Sequence, residues 1–198
     1  MDIKDLLFSD IPVATPHSGS LLLSEPLLDD KYFSRSAILV LDEPEDGGHF
    51  GLILNKQTEM TLKDLMPDWG EGERVPIYCG GPVDLQRMFL LHSLGPQLGS
   101  NCEVLPGIYV GADLDKLIQY IENGGEVDGK LRFFLGYCGW SPGQLSAEIN
   151  GKSWAVNSLP QCENLLRGNG MDYWSREIRD LGEEYRGWLM VPPDPSLN

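Results

Sequence analysis

Short apolar runs separated by turn residues are the feature that most constrains the fold of this chain. Several of the runs are apolar throughout, which indicates strands covered on both faces. Their lengths suit strands better than helices, and glycine or proline bounds many of them. The predicted strands are residues 20–23, 37–41, 51–54, 75–78, 88–91, 108–110, 131–137 and 153–156.

Helical signals lie between these runs. Asp113 can cap a helix that the glycines after Asn123 would end. A shorter capped turn is indicated by Thr61 and Asp64, and an amphipathic helix is predicted over residues 171–181. The stripe of the first helix has 3.6-residue spacing and consists of Leu114, Leu117, Ile118 and Ile121.

The order of these elements predicts an α+β fold. Strands outnumber helices and many neighbours are joined by short turns, so we expect a mixed, largely antiparallel sheet with a few flanking helices. A length of 198 residues suits one domain over residues 1–198. The Pro-rich residues 191–198 cannot continue a helix and are predicted to be a short tail.

The charge balance excludes several partners. The chain has 15 Lys plus Arg against 30 Asp plus Glu, a formal charge of −15. We therefore expect it to be repelled by nucleic acids and by anionic membranes, whose binding needs basic residues. Acids stand near the N-terminus where a signal peptide needs bases, and no apolar run has membrane-spanning length. These features predict a cytoplasmic protein.

The cysteines and histidines do not form a metal or redox motif. No Cys-x-x-Cys is present, and none of the three histidines stands at helical ligand spacing from another. We expect neither a metal nor a cofactor, and we expect free thiols in a reducing compartment. The cysteines are Cys79, Cys102, Cys138 and Cys162, and the histidines are His17, His49 and His92.

Residues 139–143 match Gly-x-Ser-x-Gly, the nucleophile elbow of α/β-hydrolases. Pro142 follows Ser141, however, and proline has no backbone N–H to donate to an oxyanion. All histidines also precede the serine, which is the reverse of the hydrolase order. A capping interpretation fits better: Ser141 as N-cap, Pro142 at the first helical position and Gln144 completing a capping box.

The enzymatic alternative is a hydrolase that uses Ser141 or Cys138 with His92. Cys138 would be reactive if the helix that begins beyond it stabilised a thiolate, although an inert buried cysteine is commoner. His92 shares a strand face with Met88 and Leu90. That position favours a partly buried, hydrogen-bonded histidine over a catalytic base.

Glycine-rich segments give the candidate ligand-binding residues. Residues 47–55 place glycines before a strand and Asn55 at its end, without the Lys-Ser/Thr of a phosphate loop. The acidic residues 42–46 lack calcium-loop spacing and are predicted to be a solvated turn. Gly80-Gly81-Pro82 is either a tight turn or the lip of a ligand site. The candidates are Asn55, Gly80, Gly81, Pro82, Trp140, Gly143 and Gln144.

Several motifs in fixed order resemble the bacterial YqgE/AlgH family. They are Gly19-Ser-Leu-Leu-Leu-Ser-Glu-Pro26, Phe33-Ser-Arg-Ser36, Gly48-His-Phe-Gly-Leu-Ile-Leu-Asn55, Gly80-Gly-Pro-Val83 and Leu135-Gly-Tyr-Cys-Gly-Trp-Ser-Pro-Gly-Gln-Leu145, with Glu148 and Trp154. The resemblance implies a bent, bifurcated sheet that forms a pseudo-barrel flanked by helices. It also implies a cytosolic bacterial protein without an established activity, and often glycine or alanine at the position of Ser141. Some members are labelled transcriptional regulators after an association with alginate production.

From these features we expect a non-enzymatic binding or regulatory module whose partner is a protein or a small molecule. The acidic surface argues that any effect on transcription is indirect. Direct DNA binding is the least favoured hypothesis.

Overall fold

The computed structural model describes Leu7 and residues 11–42, 48–67, 69–100 and 102–193, without the side chains of residues 42 and 70. The fold is α+β, as expected, and its described strands form one ten-stranded sheet. Every predicted strand is present, whereas β4 and β7 were not predicted. The strands are β1 Leu21–Ser24, β2 Ala37–Asp42, β3 His49–Ile53, β4 Gln57–Thr61, β5 Pro76–Cys79, β6 Val83–His92, β7 Cys102–Leu105, β8 Ile108–Val110, β9 Leu131–Trp140 and β10 Trp154–Asn157.

The four described α-helices lie where local signals placed them. They are α1 Leu62–Leu65, α2 Leu114–Glu122, α3 Gln144–Asn150 and α4 Gly170–Leu181. Asp113 caps α2 by accepting a hydrogen bond from the Lys116 N–H, and Thr61 with Asp64 forms the predicted capping box of α1. Leu117 and Ile121 are buried, but Leu114 is exposed because it lies at the solvent edge of the predicted stripe. Short 3₁₀ helices are Gly70–Arg74, Gly95–Leu98, Cys162–Asn164 and Glu183–Met190.

Strand β9 is the centre of the sheet and the point where it divides. The main path runs β10-β1-β2-β3-β9-β6-β8-β7, and β5 also pairs with β9, carrying β4 beside it. Along β9, residues 131–137 pair antiparallel with β6. Residues 133–135 pair with β5 in parallel and residues 138–140 with β3 antiparallel. One edge of β9 is therefore shared by two strands, which produces the bifurcation that the family resemblance implies.

The strands near β1 are covered on both faces, as their continuous apolar runs predict. Leu21 and Leu23 pack into one apolar cluster, with Trp174 of α4. Leu22 points the other way into a second cluster, with Leu145 of α3. All three leucines are fully buried. Each contributes roughly 1.5–3 kcal/mol relative to exposure, so this strand alone fixes helices on both sides of the sheet.

One sequence prediction is wrong, and two lie partly outside the described residues. Helix α3 begins at Gln144 with Gly143 as N-cap (φ 77°), so Ser141 is not the N-cap and Pro142 is not the first helical residue. The chain makes a turn there, in which the Gln144 N–H donates to the Ser141 carbonyl. Of the predicted tail only residues 191–193 are described, and the predicted solvated turn at 42–46 lies almost wholly outside the described residues.

Candidate functional site

The glycines of the Gly80-Gly81-Pro82 segment allow two backbones to cross. A Cβ on Gly80 would lie 2.2 Å from the Gly136 carbonyl oxygen, and a Cβ on Gly81 would lie 2.2 Å from the Tyr137 carbonyl carbon. The Gly80 N–H donates to the Leu135 carbonyl, where β5 leaves β9. These glycines are therefore required by packing, and Pro82 lies exposed beyond them.

The side chain of Asn55 forms hydrogen bonds with the backbone of neighbouring segments. Its side-chain oxygen accepts a hydrogen bond from the Ala37 N–H at 2.9 Å. Its amide nitrogen donates to the carbonyls of Arg35 and Gly170 at 2.9 and 2.8 Å. The side chain is almost fully buried, and both amide hydrogens are used. Asn55 therefore joins β2 to the start of α4.

Trp140 and Gln144 converge on a carboxylate that sequence reasoning did not select as a site. Glu148 Oε2 accepts hydrogen bonds from the indole N–H groups of Trp140 and Trp154 at 3.0 and 2.7 Å. Its Oε1 accepts one from the Gln144 amide at 3.0 Å. The Gln144 side-chain oxygen also accepts from the Ser141 N–H, which is half of the predicted capping box. Glu148 thus ties α3 to β9 and β10.

The structure does not bring the hydrolase candidates together. His92 pairs with Leu131 at the start of β9, seven residues before Cys138. At the usual rise of a strand this separation is roughly 20 Å, and Ser141 lies farther along the chain. The His92 ring is fully buried, with Nε2 at 2.9 Å from the Gly111 carbonyl and Nδ1 accepting from the Leu94 N–H. Both ring nitrogens are therefore engaged.

The Cys138 thiol is a poor nucleophile in this environment. Burial raises its pKa well above the ordinary value, because a thiolate there would lose its solvation. Its Sγ lies 3.4 Å from the Gly80 carbonyl oxygen. Cys138 is therefore the inert, buried type of cysteine.

A cavity of about 280 Å³ lies elsewhere, between β4, β5, the start of β9 and the loop before α4. None of the seven sequence-predicted residues lines it. Its polar wall includes Gln57, Tyr78 and Arg132, with Asn169 at the N-cap of α4. The remaining lining residues are Arg74, Pro76, Val127, Asp128, Leu131, Leu166 and Gly168.

Arg132 is the buried cation of this cavity. Its side chain is almost fully buried, and its guanidinium donates to the carbonyls of Leu54, Leu166 and Gly168 at 2.6, 2.7 and 2.8 Å. The guanidinium carbon lies 4.2 Å from the centroid of the Tyr78 ring, a cation–π distance. Burial lowers the pKa of Arg132, although arginine stays charged at neutral pH.

The loop that forms one wall of the cavity is held by its backbone oxygens. All five carbonyls of residues 164–168 accept side-chain hydrogen bonds: two from Arg132, two from Arg176 and one from the Tyr173 hydroxyl. Asn169, next in the chain, donates to Gln57 across the cavity. Two arginines therefore fix the shape of this wall before any ligand arrives.

The sequence contains one signal that points to this cavity. Arg132 is the one charged residue in the apolar run of residues 131–137. A charge in a strand covered on both faces is rare unless it is paired or hydrogen-bonded. Its partners are backbone carbonyls from distant segments, and nothing in the spacing of the sequence indicates them.

Two further cavities are lined by mixed polar groups. One of about 320 Å³ lies against α2, near Lys116 and Tyr120, and one of about 350 Å³ lies near Lys130 and Cys162. In the described part of the chain, no group of three or more His, Cys, Asp or Glu residues is placed to hold a metal ion. None of the described helices has the length and apolarity of a membrane span.

Comparison with known proteins places the chain in a family. The family model described as AlgH-like matches residues 21–186. The chain belongs to the AlgH-like family. A UPF0301 protein from Parabacteroides distasonis is 40% identical to this AlgH-like chain over 184 residues, which is 92% of each protein. The sequence resemblance is thereby confirmed.

Two solved structures share the AlgH-like fold. Protein DIP2367 from Corynebacterium diphtheriae superposes with a TM-score of 0.74 at 22% identity, covering 93% of this chain and 97% of that one. The solution structure of the AlgH protein from Pseudomonas aeruginosa gives a TM-score of 0.66 at 25% identity, covering 87% and 93%. The α+β fold expected from the sequence is confirmed by these similarities.

Proposed function

We propose that this chain is a non-enzymatic binding protein of the bacterial cytoplasm whose ligand occupies the Arg132 cavity. The observation that carries the proposal is a buried guanidinium in the wall of a cavity of about 280 Å³, next to a loop that is already fixed. Small-molecule sites are typically preformed, mostly apolar and furnished with a few fixed polar groups. Arg132 with Tyr78, Gln57 and Asn169 would supply those groups.

Binding without catalysis is supported by the separation of the reactive candidates. His92, the base of the enzymatic alternative, lies at the far end of β9 from Cys138 and Ser141. Nucleophilic catalysis needs a base within hydrogen-bonding reach of the nucleophile. Cys138 is also held as a neutral thiol by burial.

A regulatory role would be exerted indirectly, through the ligand or through a protein partner. The formal charge of −15 opposes contact with nucleic-acid phosphates. We therefore propose that the protein senses or carries a small molecule and does not contact DNA itself.

The test is ligand screening on the purified chain with site mapping. Two-dimensional ¹H–¹⁵N spectra recorded with metabolite mixtures should show shifts at Gln57, Tyr78, Leu131 and Asn169, together with thermal stabilisation. If no mixture perturbs these residues, the cavity is not a binding site and the proposal fails.

A second experiment addresses the enzymatic alternative. Serine-directed fluorophosphonate and a cysteine-directed iodoacetamide probe should leave Ser141 and Cys138 unlabelled in the folded protein, while exposed Cys102 reacts with the thiol probe. Labelling that is lost on Ser141→Ala or Cys138→Ala would overturn the non-enzymatic assignment.

A further inference from the structure

We infer that the ligand of the Arg132 cavity is a small organic monocarboxylate with an apolar body. This inference rests on the proposed function and names the chemistry of its ligand. It depends on three properties of the cavity: the donors that Arg132 leaves uncommitted, the balance of charge around it and the apolar surface of its walls.

Arg132 keeps donors for a ligand. A guanidinium has five N–H groups, and Arg132 uses three of them on the carbonyls of Leu54, Leu166 and Gly168. The other two make no hydrogen bond within the described part of the chain. A carboxylate is the natural acceptor for such donors, since charge-assisted hydrogen bonds are about twice as strong as neutral ones.

The charge of Arg132 also lacks a close counter-ion in the part of the chain that the structure describes, since Asp128 attracts it only from beyond ion-pair distance. No carboxylate among the described residues lies within 4.0 Å of its guanidinium. Arg176 of α4, the other arginine that donates to the loop of residues 164–168, is by contrast paired with Glu177 at 2.7 Å. A buried charge is costly unless it is paired. The carboxylate group of a ligand would supply a counter-charge at close range.

The charged groups at the rim of the cavity favour a ligand with one negative charge over a ligand with two. Asp128 lines the cavity, and its carboxylate is 75% exposed. Its ion pair with exposed Arg167, at 3.9 Å, is weak, so the carboxylate keeps most of its negative charge toward a ligand. The other lining cation, Arg74, already donates to Glu71 at 3.2 Å and to the Gly125 carbonyl at 3.1 Å. A phosphate dianion would therefore meet one uncommitted cation and one repelling carboxylate.

The remaining walls of the cavity are lined by apolar side chains, which favour a ligand whose other end is apolar. Pro76, Val127, Leu131 and Leu166 line the cavity, and the Tyr78 ring covers one face of the guanidinium. A volume of about 280 Å³ lies just below the usual range for drug-sized ligands, so the body must be small. A branched aliphatic or single-ring carboxylate meets these limits.

The experiment compares matched probes on the full chain at neutral pH. Benzoate and isovalerate are titrated against benzamide, isovaleramide and inorganic phosphate, with ¹H–¹⁵N spectra and melting temperature as readouts. We expect the two carboxylates to shift Tyr78 and Leu131 and to raise the melting temperature. The two amides, which have the same shape, should bind at least tenfold more weakly, and phosphate should leave these residues unshifted.

A charge-removing variant on the rim gives an independent test that keeps the core intact. Asp128→Asn should tighten carboxylate binding roughly two- to fivefold, because an exposed like charge is removed. Asp115→Asn, an exposed position in the first turn of α2, is the matched control and should leave the affinity unchanged.

These experiments distinguish a wrong ligand class from a wrong binding function. If the amides bind this cavity as tightly as the carboxylates, or phosphate binds more tightly, the monocarboxylate inference is wrong while the binding function stands. If carboxylates bind but Asp128→Asn weakens them, the charge argument is wrong. If the carboxylates leave Tyr78 and Leu131 unshifted, the inference is wrong, and the metabolite screen then decides the proposed function separately.

Discussion

The carbonyl oxygen of Gly81 lies 2.4 Å from the position that a Cβ atom on Gly136 would occupy. Gly136 also has φ 72°, a left-handed conformation in the middle of β9. The partner along one edge of β9 is β5 before this residue and β3 beyond it. The division of the sheet therefore depends on two glycines that are 55 residues apart (136 − 81).

Gly136→Ala should destabilise the protein by at least about 3 kcal/mol. Part of the cost is the left-handed conformation and part is the clash with the Gly81 carbonyl. Gly143→Ala is the matched control, because Gly143 has φ 77° and no atom within 4 Å of its would-be Cβ. It should cost about 1 kcal/mol. Urea denaturation of both variants measures the difference, and equal losses would show that the crossing tolerates a methyl group.

Local signals in the sequence were enough to predict most elements. The caps at Asp113 and at Thr61 with Asp64, and the glycine stop after Asn123, depend on residues that are close in sequence. Pairing between strands that are far apart in the sequence cannot be predicted from such local signals. Side chains at positions 80 and 81 would clash with β9. Nothing in the spacing of these glycines identifies β9 as the segment that fills the space.

Strands β4 and β7 escaped prediction for a physical reason. The residues of β4 are mostly polar, and three of the five are exposed. The segment therefore has no alternation of apolar and polar residues that would predict a strand. Its conformation is set by pairing with β5, as that of β7 is set by β8. The start of α3 was misplaced because a turn at Pro142 and Gly143 delays the helix that Ser141 could have capped.

Arg132→Met should cost about 3–5 kcal/mol of stability. Three buried carbonyls would lose their partner: that of Leu54, just after β3, and those of Leu166 and Gly168 in the loop that forms one wall of the cavity. Arg87→Met is the control. Exposed Arg87 lies over the Phe89 ring at 5.1 Å and makes no hydrogen bond or ion pair with the described residues, so its loss should cost less than about 1 kcal/mol. Urea denaturation gives the free energies of unfolding.

Hydrogen exchange provides the second readout for Arg132. The amides of residues 164–168 should exchange faster in Arg132→Met than in wild type, because the loop loses two of its five carbonyl anchors. An Arg132→Met protein within 1 kcal/mol of wild type, with unchanged exchange in this loop, would show that the arginine is not its anchor.

Glu148→Ala should destabilise the protein by about 2–4 kcal/mol, since two buried indole N–H groups lose a charged acceptor. The Trp140 and Trp154 rings lie edge to face at 6.3 Å, so the intrinsic fluorescence of the native state should change as well. Exposed Glu122→Ala is the control and should change neither property. Unaltered fluorescence together with unaltered stability would contradict the role assigned to this carboxylate.

His92 gives a pH dependence whose sign follows from its burial. Burial lowers the pKa of His92 below its ordinary value of 6.5, and the Gly111 carbonyl only partly offsets this. Below pH 6.5 the unfolded chain therefore takes up a proton that the folded chain refuses, so the stability from this residue is present above that pH and is lost as the pH falls. His92→Gln should flatten the fall in unfolding free energy between pH 6.5 and 5 relative to the wild-type protein. If His92→Gln kept the wild-type slope, the folded protein would be protonating this imidazole, and a base at this end of β9 would have to be reconsidered.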